Sequence, residues 1–440
     1  MWSEIMVRVL GGLGRLLALV MLAAVATPSW ALKKGNVVFF HPDGTGANHW
    51  GALRLLKAGP DGEIEWDRLP NMATYTGHMK DALTATSHGG ATTHAYGVKV
   101  VANSFGTDGG APLTAASGKP MSIMQEALRS GRAVGVVQTG HIAEPGTAVF
   151  LASTPNRKDY DEIARQILTS GAQVIMAGGE RFLLPEGVRG RHGLGQRKDN
   201  LNLIEESKSR GYSIVYTAEE LRALDRSKVD KILGVFAWDH TFNDKPEEEN
   251  QEAGRPHYLE TAPNIAEMTQ AALEILSRAP NGFFLVAEEE GTDNMANKNN
   301  SPGQLEALRR ADAAIKVIHD YVKAHPETLM IMAADSEAGG LSVLGPRPKH
   351  FKPDEPLHEK TLNGSPLDGR EGTGSLPFIA APDIAGKRWP FGIAWSTSTD
   401  TAGPVLVRGA GLNSELIRGK MDNTEIYRLM YLTLFGRLLD

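Results

Sequence analysis

The sequence predicts one large α/β domain, built on a mostly parallel central sheet flanked by helices on both faces. Three observations carry that expectation. Short, almost continuously apolar runs recur along the chain, stretches of helical period separate them, and no repeat or low-complexity tract breaks the alternation. Strands buried on both faces read as unbroken apolar runs, and strand–helix–strand order is the pattern of a parallel sheet.

In chain order, strands are expected at 37–40, 133–137, 174–177, 283–287 and 329–334. Between them, helices are expected at 120–130, 160–170, 265–276 and 304–324, where apolar residues recur at helical spacing. One stretch departs from this rhythm. Residues 346–390 are rich in Pro, Gly, Lys and Asp with no clear period, and read as a loop insert near the site.

The chain has 440 residues, 41% hydrophobic and 22% charged, enough to bury a large core. A net charge of −6 gives no polyanion-binding signal, so no nucleic-acid partner is expected. Cysteine is absent, which leaves packing or bound metals to supply the stability that disulfides give many exported proteins. Export itself is read from the first 31 residues. Arg8 and Arg15 precede the apolar run 16–26, and Ser29-Trp30-Ala31 follows as a small-x-small cleavage site. The competing reading is an N-terminal membrane anchor, but the run falls short of a bilayer span. Residues 1–31 are therefore expected as a cleaved signal peptide, and 32–440 as the catalytic domain. The expected compartment is periplasmic or extracellular, with no stable membrane anchor after cleavage.

In open α/β sheets, ligands bind at the carboxyl ends of the strands. Asp43 follows the first apolar run, Glu144 lies beyond the second, Glu288 to Asp293 follow the fourth, and Asp335 and Glu337 follow the fifth. Any one of these acids could be a turn or helix cap. Together on one rim they would repel one another unless divalent cations compensated them, and such oxygen donors suit hard ions. A second constellation is 84–94, where small and hydroxyl residues could open a helix with Ser87 near its N-terminus. Free N–H groups there would attract anions and ease deprotonation of a hydroxyl; the plainer reading is a Ser/Thr-rich cap.

Seven motifs then occur in order: Asp43-Gly44, the Ser87 segment ending Gly97-Val98-Lys99, Met176-Ala177-Gly178-Gly179, Phe236-Ala237-Trp238-Asp239-His240, Glu288 through Asp293, Ala334-Asp335-Ser336-Glu337, and 400–405. Together they resemble the alkaline phosphatase family over nearly the whole expected mature chain. The resemblance implies hydrolysis of small-molecule phosphate monoesters through a phosphoserine on Ser87. It implies that Asp43 bridges two metals, that Asp293 and Asp335 are the two zinc-site aspartates, and that Glu144 and Glu288 belong to a third, magnesium-type site. Arg157 matches the phosphate-gripping arginine, a role its planar guanidinium suits.

The departures from the family lie at its ligands. Asn297, Ser336 and Asp400 stand where the family carries zinc-ligating histidines, Gly146 where the magnesium-site hydroxyl stands, and Thr86 where an aspartate usually precedes the nucleophile. Oxygen donors at the first three positions shift the expected cofactor towards magnesium, calcium or manganese, with zinc left open. His41, His88, His94, His350 and His358 lie near the motifs and are read as core histidines or supports. Phosphodiester or sulfate-ester hydrolysis on the same scaffold is the alternative activity, and a non-catalytic phosphate- or metal-binding protein the other alternative. Family members are often dimers, so a homodimer stays open.

Overall fold

A computed structural model describes residues 33–346 and 351–439. The expected signal peptide, 1–31, lies outside the described residues, as does His350. Among the described residues no helix is long and apolar enough to cross a membrane.

The five apolar runs become the middle of a large sheet. In chain order its strands are β1 (Asn36–Pro42), β2 (Asn71–Thr76), β3 (Ala133–His141), β4 (Val174–Gly178), β5 (Ser213–Val215), β6 (Ile232–Val235), β7 (Phe283–Glu289) and β8 (Thr328–Met332). Seven short strands follow: β9 (Glu337–Ala338), β10 (Leu341–Leu344), β11 (Leu367–Gly369), β12 (Gly372–Thr373), β13 (Phe378–Ile379), β14 (Pro390–Trp395) and β15 (Asp400–Thr401). The chain then returns to the large sheet through β16 (Leu406–Gly411) and β17 (Arg418–Asp422).

That sheet has ten strands in the order β17-β2-β16-β8-β1-β7-β3-β4-β6-β5. Only β16 runs antiparallel to its neighbours, β2 and β8. Alternation along each central strand feeds two separate cores. Val37 and Phe39 of β1, Phe284 and Val286 of β7, and Leu329 and Ile331 of β8 face one side, beneath helices that include Asn423–Phe435 and Tyr160–Thr169. Val38, Phe40, Leu285, Ala287, Met330 and Met332 face the other, beneath Ile265–Leu276 and Ser301–Ala324. Both faces are covered, as unbroken apolar strands require.

The 346–390 segment differs from the expected loop insert. Three of its short strands join β10 and β14 in a small antiparallel sheet. Strands of two or three residues are too short to show a period, which is why this segment reads as irregular. Asp368 at its centre accepts hydrogen bonds from Ser301 (2.8 Å), Thr373 (2.9 Å) and Trp395 Nε1 (2.6 Å), which tie the small sheet to the Ser301–Ala324 helix.

Phe40 has no exposed surface and sits in the second core. Phe40→Ala should therefore cost about 3–5 kcal/mol, the range for deleting a buried phenyl ring. Urea denaturation checks this: the midpoint should fall with an unchanged slope, and a shift below about 1 kcal/mol would contradict the packing described.

Candidate functional site

Four adjacent strands, β8, β1, β7 and β3, run parallel and end on the same rim. Asp43 follows β1, Glu288 lies at the end of β7, Asp335 follows β8, and Glu144 follows β3. The sheet order is thus what gathers residues that are hundreds of positions apart. Asp43 and Glu288 are fully buried, Asp335 is 2% exposed, and Asp293 is 7% exposed.

Burial on this scale leaves the acids short of partners. Asp43 Oδ1 accepts from the Gly44 amide at 2.9 Å, but Asp43 Oδ2, both oxygens of Glu288, Glu290 Oε2 and Asp335 Oδ2 have none. Burial, reinforced by Asp335 and Glu288, pushes the Asp43 carboxyl well above its ordinary range. Burial also raises Glu288 to about 8, with Glu144 adding to the effect against the pull of His41. Glu290, Asp293 and Asp400 are pushed up in the same way, by burial first and then by neighbouring carboxylates. Orphaned carboxylate oxygens converging in a buried space are the donor set of a divalent cation site. Among the described residues three groups are close enough to share an ion, His41–Asp43–Glu288, Asp43–Glu290–Asp293 and His141–Glu144–His240, with the ligand atoms of each group within 4.8 Å of one another.

The other expected ligands are placed less uniformly. Asn297 donates through Nδ2 to both oxygens of Asp293, at 3.2 Å each, and to Asp400 Oδ1 at 2.8 Å. Its amide oxygen accepts from the Gly339 N–H at 3.1 Å, and through its Nδ2 Asn297 braces the two carboxylates. Ser336 donates to Asp335 Oδ1 at 3.2 Å. Glu144 is drawn towards β3 and β6: Oε1 lies 2.9 Å from His141 Nε2 and 3.8 Å from His240 Nε2. Burial would raise Glu144, but His141, His240 and Arg157 outweigh it and hold the carboxyl at about 2.

Ser87 is the first residue of the helix Ser87–Tyr96, and it is half-buried. The Thr86 hydroxyl caps that helix, accepting from the Gly89 amide at 3.1 Å and donating to the Ala102 carbonyl at 2.6 Å. Gly90, one turn on, lets the helix press against the end of β8. A Cβ at position 90 would lie 2.5 Å from Asp335 Cβ, closer than two carbons can approach. Arg157 Nη1 donates to His88 Nδ1 at 3.1 Å, and Nη2 lies 3.5 Å from Glu144 Oε2. The guanidinium is thereby held between the residue after Ser87 and the β3 rim.

The sequence names the acids, Ser87 and Arg157 as site residues and reads His41 as a core histidine or support; the structure also brings Glu290, His141 and His240 into the clusters described above. His41 lies in β1 and Asp43 in the turn just after it, and their side chains approach to 3.1 Å, a proximity their two-residue separation makes legible in advance. His240 reaches Glu144 only because β6 lies beyond β4 from β3, and no local pattern reports that.

The buried acids make stability depend on pH and on cations. Below its ordinary value of 4.5, Glu288 is protonated whether the chain is folded or unfolded. Between 4.5 and about 8 the folded state keeps a proton that the unfolded chain releases, so stability falls as pH rises through that window. Chelator-treated protein should therefore melt several degrees lower near pH 9 than near pH 5, and excess magnesium should close most of that gap, because a bound cation favours the ionised form. Differential scanning fluorimetry across pH, with and without magnesium, measures both effects. Identical pH profiles in the two conditions would defeat this account.

Comparison with known proteins agrees with this geometry. A sequence model of the alkaline phosphatase family matches residues 34–435. The alkaline phosphatase of Gadus morhua is 27% identical, over 69% of this chain and 69% of its own. The tissue-nonspecific isozyme of Rattus norvegicus is 25% identical, over 92% of this chain and 84% of its own. The solved alkaline phosphatase of Thermus thermophilus shares the fold, with a TM-score of 0.70 at 22% identity over 94% of this chain and 95% of that one. With the family matched across nearly all the described residues, the chain belongs to the alkaline phosphatase family.

Proposed function

We propose that this phosphatase hydrolyses phosphate monoesters in two steps, with Ser87 as the covalent nucleophile and divalent cations held by the carboxylate rim. The observation that carries the reading is the close approach at Gly90, which sets the helix opened by Ser87 against Asp335 on the rim. In the first step Ser87 Oγ bonds to phosphorus as the bond to the ester oxygen breaks, and the departing alkoxide takes up a proton. In the second, water attacks the phosphoserine, inorganic phosphate leaves, and the serine hydroxyl is restored. Cations bound to Asp43, Glu288, Asp293 and Asp335 would supply the positive charge that neutralises the phosphoryl oxygens and lowers the hydroxyl pKa. Oxygen donors predominate there, which favours magnesium, calcium or manganese.

The chain's own residues do the positioning. Free amides in the first turn of the Ser87–Tyr96 helix and the guanidinium of Arg157 would hold the phosphoryl oxygens. A cavity of about 320 Å³ opens beside Asp335 and Ser336, walled by Tyr75, His78 and Leu83, and it gives room for the alcohol part of the ester. Export through residues 1–31 would bring the enzyme to phosphate esters outside the cytoplasm.

Two measurements test the reading. Purified protein should hydrolyse a chromogenic phosphate monoester much faster than the matching diester or sulfate ester, and Ser87→Ala should lose most of that turnover while remaining folded. A phosphate on the Ser87 peptide after acid quench, seen by mass spectrometry, should vanish in the variant. If Thr86→Ala is inactive while Ser87→Ala turns over normally, the nucleophile is misassigned by one residue. Faster sulfate or diester hydrolysis would instead support the sibling activity.

Removing Arg157 should cost roughly 2–4 kcal/mol of transition-state stabilisation, the scale for losing one electrostatic clamp. Arg157→Lys should stay impaired, because an ammonium cannot make the planar two-point contact. Steady-state kcat/KM for both variants reads this directly, and an Arg157→Ala enzyme of full activity would remove the residue from the site.

A further inference from the structure

We infer that His41 Nε2 is a direct metal ligand in this chain, completing a His41–Asp43–Glu288 site with one nitrogen and two carboxylates. The inference rests on the proposed cation-dependent reading and goes beyond it, since it gives one cation pocket an imidazole where oxygen donors alone were expected.

Four observations lead there. The first is orientation. His41 Nδ1 lies 2.7 Å from the Ala333 carbonyl oxygen, which can only accept, so the Nδ1 proton is fixed and the neutral ring presents its lone pair at Nε2. Metal-bound imidazoles are held in this way, with the second nitrogen donating to a carbonyl or carboxylate. The second is the state of Nε2. It is buried without a hydrogen-bond partner, although Asp43 Oδ1 is only 3.1 Å away. Two atoms that close without hydrogen-bond alignment fit neighbouring ligands aimed at one common point. Donors about 2.1 Å from an ion at tetrahedral or octahedral angles lie roughly 3.0–3.4 Å apart.

The third observation is convergence. His41 near the end of β1 meets Asp43 in the turn just after it, and Glu288 is the register partner of His41 on β7, with neither carboxylate oxygen of Glu288 satisfied. Their ligand atoms lie within 4.8 Å of one another, and no side chain of the three is measurably exposed beyond 1%. The fourth is space. A Cβ at position 146 would lie 1.7 Å from Glu288 Oε1, so no side chain reaches the pocket from there while Glu288 holds this position, and His41 enters it from β1.

An imidazole changes what the pocket prefers. Nitrogen with two carboxylates suits zinc, manganese or cobalt better than an all-oxygen set does, and it weakens the preference for magnesium. The alternative for the same atoms is an imidazolium ion-paired to Asp43, with no metal on the nitrogen.

Crystals of the unmodified full chain soaked in zinc or manganese, with anomalous scattering, decide between them. The expected result is an ion about 2.1 Å from His41 Nε2, sharing its coordination with Asp43 and Glu288. An ion in the pocket that leaves Nε2 more than about 3 Å away overturns the assignment while sparing the cation-dependent reading. In solution, His41→Gln should weaken one class of zinc site at least about tenfold by isothermal titration, leaving the remaining equivalents unchanged. Unchanged affinity in a folded variant overturns the inference. Failure of the unmodified chain to bind any divalent cation overturns both this inference and the reading beneath it.

Discussion

Burial of like charge at one rim of the sheet is the constraint on which the rest of this structure depends. Asp43, Glu288, Glu290, Asp293 and Asp335 are each less than a tenth exposed, and all but Asp293 keep at least one unsatisfied oxygen. Such a cluster is unfavourable by itself and becomes favourable only with positive charge inside it. The fold supplies the rigidity that keeps the acids together against their repulsion. Four parallel strands, packed on both faces by separate cores, converge on the rim with register set by backbone pairing along their whole length. A site on mobile loops would relax by moving its carboxylates apart; one on these strand ends cannot.

Alternation along β7 and the turn after it sort three consecutive acids into different tasks. Glu288 meets the site with both oxygens unpaired, whereas Glu289, its neighbour, is satisfied at Oε1 by Thr139 (2.7 Å), Tyr258 (2.8 Å) and the Gly291 amide (3.2 Å). Glu290 lies beyond the strand end and turns back towards Asp43 and Asp293. Identical side chains in sequence therefore divide into a ligand candidate, a hydrogen-bonded anchor and a second ligand candidate. Burial still raises Glu289 to about 7, because its donors offset only part of the desolvation.

This sorting explains what was legible in the sequence. Central strands were readable because burial on both faces forces unbroken apolar runs such as 283–287. Outer strands such as β2, second from the edge and with one buried residue in Asn-Met-Ala-Thr-Tyr-Thr, carry no such run and were passed over. The small sheet was hidden because strands of two or three residues have no period. At the site, acids at strand ends and the hydroxyl-rich helix start were visible as local patterns. The roles of His141 and His240 were not, because they depend on which strands lie side by side. Asn297 was assigned by position as a ligand, yet its amide cross-links Asp293 and Asp400, a geometry that spacing alone does not report.

Thr86 has a structural role that runs through the site. Its hydroxyl is engaged by the helix cap and the Ala102 carbonyl rather than by the guanidinium of Arg157. Arg157 is braced instead by His88 and by Glu144, and Glu144 is in turn bonded to His141 and faced by His240. His141 packs edge-on against Tyr160 and Phe182, and His240 stacks on Phe242. The placement of Arg157 thus rests on a chain of contacts anchored in aromatic packing on the β3–β6 side of the sheet. Loss of an imidazole there would free Glu144 to move, and the guanidinium it faces would lose one of its two braces. In this chain the arginine's orientation is set directly by His88 and, through Glu144, by His141 and His240.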